Sequence, residues 1–299
     1  MKTETAKSLT SEVDQQRPAS DVVRTNRTVL RRVPVARQRR SGQHRALRRI
    51  VDNAIGWLVP LLVLSGWQLA SSMDWIDARF FPAPTTIFES SQSLIDAGIL
   101  QEHLRYSIVR LFFGFTLGAA AGLGVGFLLG QSRVLRALFE PILNALYTVP
   151  KLALLPLLLL IFGLDERPKI SLIAISVFFI VWMTTQAAIQ HVDEGYREAA
   201  RSFGASRRQL LRHVTLPAAL PNIFVGLRVA MGIGVLVLVA AEFVQGNTGL
   251  GYLIWNSWSL FVARNMYVGI IVVALLGVIS MSVIGVVGRL LTPWRRGDR

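Results

Sequence analysis

Six stretches of this chain are long and apolar enough to cross a lipid bilayer as helix, and no other feature constrains the fold as much. They run over residues 55–73, 108–129, 142–162, 170–189, 223–244 and 267–291. A hydrocarbon core of about 30 Å takes roughly 20 residues of helix. Backbone polar groups in lipid must be satisfied within their own segment, so helix is the expected state of all six. The expected fold is therefore all-α and integral to a membrane: a six-span domain over residues 51–299, preceded by a tail over residues 1–50. With 52% of residues hydrophobic and 17% charged, a soluble class is excluded.

The charges orient these spans. Net charge is +14, and residues 1–50 alone hold thirteen Lys or Arg against four Asp or Glu. That tail is too polar to bury a core and is expected to be disordered, its densest part (residues 31–49) able to rest on anionic lipid. If the N-terminus is inside, the inner segments carry those thirteen cations. They also carry Arg133, Arg136, Arg197, Arg201, Arg207, Arg208, Arg212, Arg289, Arg295, Arg296 and Arg299. The outer segments carry only Arg79, Arg105, Arg167, Lys169 and Arg264. The bias sets both termini, and the segment between the fourth and fifth spans, in the cytoplasm. Charge gathered in this way points to topology rather than to nucleic acid. The basic start is too long for a signal peptide, and the absence of cysteine excludes disulfides.

The cytoplasmic segment around residues 191–222 is the most patterned part of the chain. It contains Glu198-Ala199-Ala200, then Gly204, Val214 and Leu216-Pro217. Tyr196, Ala199, Ala200, Phe203, Leu210 and Leu211 recur at helical spacing. Gly204 is expected to break the segment into two short helices, Ser206 to cap the second, and Leu216-Pro217 with Pro221 to end it before the fifth span. Two readings fit this spacing: a basic amphipathic segment on the lipid surface, or a rigid coupling element.

Inside the membrane, Gly114, Gly118, Gly122, Gly126 and Gly130 stand four apart on one face of the second span, which permits close helix packing. Pro150 and Pro156 are expected to kink or loosen the third span. Charged residues in spans are functional candidates by default; Lys151, Pro150 and Glu242 are the pathway or gate candidates, while Arg110, Glu140 and Arg228 read as structural. Asp165 and Glu166 read as topology or capping charges. On the outer side, Thr85 or Thr86 is expected to cap a short helix near residues 87–94. A further short helix after Gly246, Gly249 and Gly251 is expected to carry Trp255 and Trp258 as interface anchors. The four histidines have no metal-ligand spacing, so no metal site is expected. No phosphate-binding G-x-x-x-x-G-K-[ST] occurs, so the chain has no ATPase site of that kind.

The segment at 198–217 resembles the EAA loop of permease subunits of binding-protein-dependent ABC importers, with Val214 where that pattern has isoleucine. Further stretches resemble the nitrate, sulfonate and taurine branch of this family: FPAPTTIFES (81–90), SIVRLFFGF (107–115), EPILNALYTVPKLALLPLLLLIFGLDERPKI (140–170), LRVAMG (227–232) and AEFVQGNTGLGYLI (241–254). They fall in order over about residues 55–295. The resemblance implies a type I (MetI-like) permease in the plasma membrane, with Glu198, Ala199, Ala200, Gly204, Val214, Leu216 and Pro217 in the coupling helices that meet a separate ATPase. It also implies an external solute-binding protein, a homodimer, and ATP with Mg bound by the partner ATPase rather than by this chain. The implied solute is a small oxyanion such as an alkanesulfonate, taurine or nitrate. The alternative from the residues is an ion-coupled secondary transporter, in which Glu242 would have to carry the ion relay. A membrane enzyme would need a His/Asp/Glu cluster that the sequence lacks.

Overall fold

The computed structural model describes residues 42–294, and among them every regular element is a helix. Residues 1–41, most of the expected tail, and Arg295, Arg296 and Arg299 lie outside the described residues. The first helix, α1 (Gly42–Ser72), begins within the stretch assigned to the tail and carries Pro60 in its interior. Among the described residues, 57–294 belong to one compact unit.

α2 (Pro84–Asp96) lies outside the expected spans. Pro84 stands in its first turn, where its missing N–H costs nothing and its fixed φ suits the helix. The cap position is Ala83, with no side-chain bond, so neither threonine caps this helix. Thr85 pairs with Gln68 instead: its hydroxyl accepts from the Gln68 amide at 3.1 Å, and its backbone N–H donates to that side chain at 3.2 Å.

The centre is built from α3 (Ile99–Gln131), α6 (Arg167–Gln190) and α9 (Leu216–Val244). The five-glycine face of α3 lies directly on α6. A Cβ at Gly118 would sit 2.3 Å from the Ala174 carbonyl oxygen, and one at Gly122 2.8 Å from that of Phe178. Added carbons at Gly114, Gly126 and Gly130 would meet Ile173, Thr185 and Ile189 at 2.7, 2.7 and 2.9 Å. Gly124, off that face, would meet nothing within 4 Å. α9 closes on the other side of α6 through Gly226, whose Cβ would stand 2.2 Å from Thr184 Oγ1. Leu172, Ile173, Val177, Val181, Ala230, Leu238 and Ala241 fill the space between them.

The third expected span is not one helix. α4 (Arg133–Thr148) stops, Lys151–Leu154 make one 3-10 turn, and α5 (Leu155–Phe162) leaves at an 88° bend. Pro150 is the cause: it holds Val149 in an extended conformation (ψ 127°) and offers no N–H to continue the ladder. The boundary expected at Leu216-Pro217 also differs. α7 (Glu194–Ser202) and α8 (Arg207–Leu210) form as two short helices, but α8 passes through a π-turn (Leu211–Thr215) into α9 without a stop. The run Arg207–Val244 is 38 residues long. The π-turn just ahead of Pro217 carries the chain into α9 through Leu216 N–H to Leu211 O, and the helix continues past Pro221.

After α9 come α10 (Leu250–Ser259) and α11 (Ala263–Leu291). Among the described residues, four helices are long and apolar enough to cross a membrane, or five if α4 and α5 count as one span; the apolar part of α1 described here, Leu58–Ser72, is shorter. Leu61, Leu62, Val278, Ile279 and Leu290 are exposed on α1 and α11, as lipid contact requires.

Candidate functional site

Residues 193–217 make a rigid corner. Asp193 caps α7, its carboxylate accepting from the Gly195 N–H at 2.8 Å. Gly204 ends the helix at φ +78°, and the chain doubles back through Gly204 N–H to Arg201 O (2.9 Å) and Ala205 N–H to Ala200 O (3.0 Å). Ser206 and Gln209 then form a reciprocal capping box that starts α8. α7 is tied back to the end of α6 by Arg197, whose guanidinium donates to Ile189 O at 2.7 Å.

What this corner presents is unusual. α7 buries none of its residues against the described part of the chain. Glu198 and Ala199 are exposed, Ala200 is half-buried, and Phe203 at the corner is 91% exposed. Tyr196 is exposed beside it. Val214, Leu216 and Pro217 are half-buried where the π-turn enters α9. The structure thus gathers the patterned residues on one corner with open apolar groups, joined rigidly to a core helix.

Pro150 and Lys151 stand at the break between α4 and α5. Pro150 is exposed and Lys151 half-buried. The Lys151 ammonium donates to Val149 O (2.8 Å), Leu146 O (3.3 Å) and Tyr147 O, and lies 5.0 Å from the Tyr147 ring centre and 4.6 Å from that of Phe179.

Glu242 lies at the far end of α9 from the corner, in a buried polar clasp. Arg110 on α3 is 1% exposed and Glu242 0%. All five guanidinium N–H groups are used: two on Glu166, one on Glu242 Oε1 at 2.7 Å, one on Thr248 O at 2.7 Å and one on Thr248 Oγ1 at 2.8 Å. Glu242 also accepts from Ser107 Oγ at 2.8 Å and from the Gly251 N–H at 2.8 Å, and Ser107 accepts from the Leu250 N–H at 2.8 Å. Lys169 approaches Glu166 at 3.2 Å, so two cations face two carboxylates. Outside the spans, Glu166 is held below the usual carboxylate range, chiefly by the hydrogen bonds from Arg110 and against a smaller effect of burial.

The glycines after α9 are there because the chain wraps this carboxylate. A Cβ at Gly249 (φ +111°) would lie 2.3 Å from Glu242 Cδ, one at Gly251 2.7 Å from Glu242 Cβ, and one at Gly246 2.2 Å from Glu242 O. Ser107, Thr248 and the pairing role of Glu166 are absent from the sequence reading. The one available signal is that an arginine entering an apolar span needs carboxylates within reach. Among the described residues no three His, Asp or Glu gather as a metal site.

Comparisons with known proteins identify the family and the fold. The family described as "Binding-protein-dependent transport system inner membrane component" matches residues 114–296. A permease named for aliphatic sulfonates transport, from Bacillus subtilis (strain 168), is 39% identical over 240 residues, covering 80% of this chain and 87% of its own. The taurine transport system permease protein of Escherichia coli (strain K12) is 34% identical over 254 residues, covering 83% and 91%. In a solved structure titled for inward-facing conformations of the MetNI methionine ABC transporter, a chain with 21% identity superposes with a TM-score of 0.57, over 64% of this chain and 95% of that one, which shows the MetI-type fold. The chain therefore belongs to the inner-membrane permease family of binding-protein-dependent ABC importers, in the branch whose named members include sulfonate, taurine and nitrate permeases, and is a multi-pass transport subunit rather than an enzyme.

Proposed function

We propose that this permease passes a small oxyanion, of the sulfonate, taurine or nitrate kind, across the plasma membrane when an external binding protein delivers it. It works as a homodimer of six-span subunits with both termini in the cytoplasm. The corner formed by α7 and α8 docks a separate ATPase, which binds the ATP and Mg. Glu198, Ala199, Ala200 and Gly204 form the docking surface, and Val214, Leu216 and Pro217 join it to the core. The observation that carries this reading is the exposed corner itself: a helix with none of its residues buried, an open Phe203, and an unbroken run into α9. Such a corner converts a push from outside into tilt of α9, because three hydrogen-bonded caps leave it little freedom to yield. The oxyanion class is supported by the names of the relatives.

The test is affinity capture of the tagged chain from its native membrane. A P-loop ATPase in equal amount, lost in Glu198→Arg or Gly204→Trp while insertion is intact, is the expected result. Capture without an ATPase, with uptake driven by a proton or sodium gradient, would return the secondary-transporter reading. Glu242 is poorly suited to that role, since both its oxygens are engaged by Arg110, Ser107 and Gly251.

A further inference from the structure

The break between α4 and α5 combines three features that the docking corner and the clasp do not explain. First, α4 buries none of its residues among the described ones, although it lies inside the transport domain. Second, a half-open apolar cavity of about 470 Å³ lies between α4, the break and the central helices, with Ala121 on α3, Leu146 on α4, Leu154 at the 3-10 turn and Phe178 on α6 among its walls, while Leu135 and Leu143 of α4 still pack toward Phe179 and Trp182. Third, one cation spans the corner: Lys151 caps the last turn of α4 through three carbonyl oxygens while its ammonium rests against the Phe179 ring of α6.

The contrast with the frame around it is sharp. α3 and α6 are in backbone contact along the glycine face, and α9 is locked to α3 by the clasp. Sliding those helices requires breaking buried ion pairs or lifting glycines off carbonyls. Tilting α4 requires neither, only a shift of its apolar side chains along the half-open cavity. Leu146 O accepts from the Val149 N–H at 3.3 Å, but Pro150 brings no N–H to continue the turn; Lys151 supplies further donors to Leu146 O, Tyr147 O and Val149 O.

We infer that Lys151 is a positioning residue for transport: it caps α4 and fixes the angle of the broken span over the apolar cavity, so that α4 is the element that tilts into this space during the cycle. The inference rests on the chain acting as the transport subunit, but on neither the identity of the solute nor a contact between Lys151 and it. With its donors turned onto the main chain and its charge against two rings, Lys151 is not presented to a passing anion.

The experiment uses the full chain, reconstituted with its ATPase and binding protein and assayed with taurine and a linear alkanesulfonate. Lys151→Met is expected to lower the maximal uptake rate about tenfold or more, leaving the half-saturating concentration within about threefold and ATP hydrolysis running, so that more ATP is spent per solute. Lys151→Arg restores uptake to within about threefold, since its fork still reaches carbonyls. Ala121→Phe fills the cavity without touching the charge and is expected to slow uptake similarly. Uptake at the original rate in Lys151→Met or Ala121→Phe would overturn the inference. So would a raised half-saturation with the maximal rate intact, which marks solute contact.

A second readout needs no transport and separates this inference from the function proposed above. The chain has no native cysteine, so spin labels can be set at Leu138→Cys on α4 and Leu236→Cys on α9. Lys151→Met should broaden that distance distribution while the pair Leu128→Cys on α3 and Leu236→Cys keeps its width. Equal widths with and without Lys151, or equal broadening of both pairs, would overturn it. If the unsubstituted complex takes up no oxyanion yet the α4 label alone broadens, the proposed solute class fails and the role of Lys151 stands.

Discussion

The two ends of α9 treat charge and apolar surface in opposite ways. At one end, Arg110 and Glu242 are removed from solvent and every donor and acceptor between them is matched. At the other, α7 keeps its charges in the open and leaves Phe203 and Tyr196 uncovered. Burying an ion pair is costly unless the geometry completes it, so the clasp is a place where the chain finishes its own packing. An exposed aromatic on a well-capped corner is where the proposed ATPase would complete the packing. One helix joins a closed end to an open one, which suits the coupling role proposed for it.

The comparison can be broken from its closed end first. Arg110→Ala strands the buried carboxylate of Glu242 and should destabilise the protein by about 3–5 kcal/mol, read as loss of the folded fraction in detergent. A variant that is purified at normal yield and midpoint would mean that the clasp is not buried. Next in size is Gly118→Leu, which places a side chain where the Ala174 carbonyl already lies 2.3 Å from an added Cβ. About 1–3 kcal/mol is expected from overpacking alone, whereas Gly124→Leu, on the same helix with nothing within 4 Å, should cost far less. Equal costs would show that the glycine face does not touch α6.

The open end should behave in the reverse manner. Phe203→Asp should abolish ATPase capture and uptake while shifting stability by no more than about 0.5 kcal/mol, the range of a surface change. A large loss of stability would mean that Phe203 is packed within the chain. The smallest effect concerns pH. Glu166 is held low by Arg110, so its contribution is complete above the ordinary carboxylate value of about 4.3 and is lost only as pH falls through its lower folded value. Midpoints measured from pH 8 to pH 5 should show no step from this group. A step near pH 6 that vanishes in Glu166→Gln would contradict the pairing.

What the sequence disclosed follows the range of the interactions. The corner was legible because its chemistry is local: Gly204 must adopt positive φ, and Ser206 lies three residues from Gln209. The glycine face was legible as a face, since a period of four suffices to place it, but its partner α6 was not. The break was half legible. Prolines announced a weakened third span, yet nothing local in the sequence gives the 88° angle. Arg110 and Glu242 were each marked as charges in apolar spans, but they stand 132 residues apart, and nothing local says that they share a bond. The stop expected at Leu216-Pro217 failed because a π-turn carries the chain into α9 with Pro217 in its first turn, where a missing N–H costs nothing, and α9 then continues past Pro221.

The most direct test of the account is quantitative capture of the ATPase by the α7–α8 corner. The tagged chain and its Phe203→Asp variant would be purified from the native membrane under identical conditions, and the co-purifying chains weighed by mass spectrometry. The account predicts a P-loop ATPase in equal amount with the unsubstituted chain and its absence from the variant, both preparations having the same thermal midpoint. An ATPase that remains bound to the variant, or that is absent from both, would contradict it.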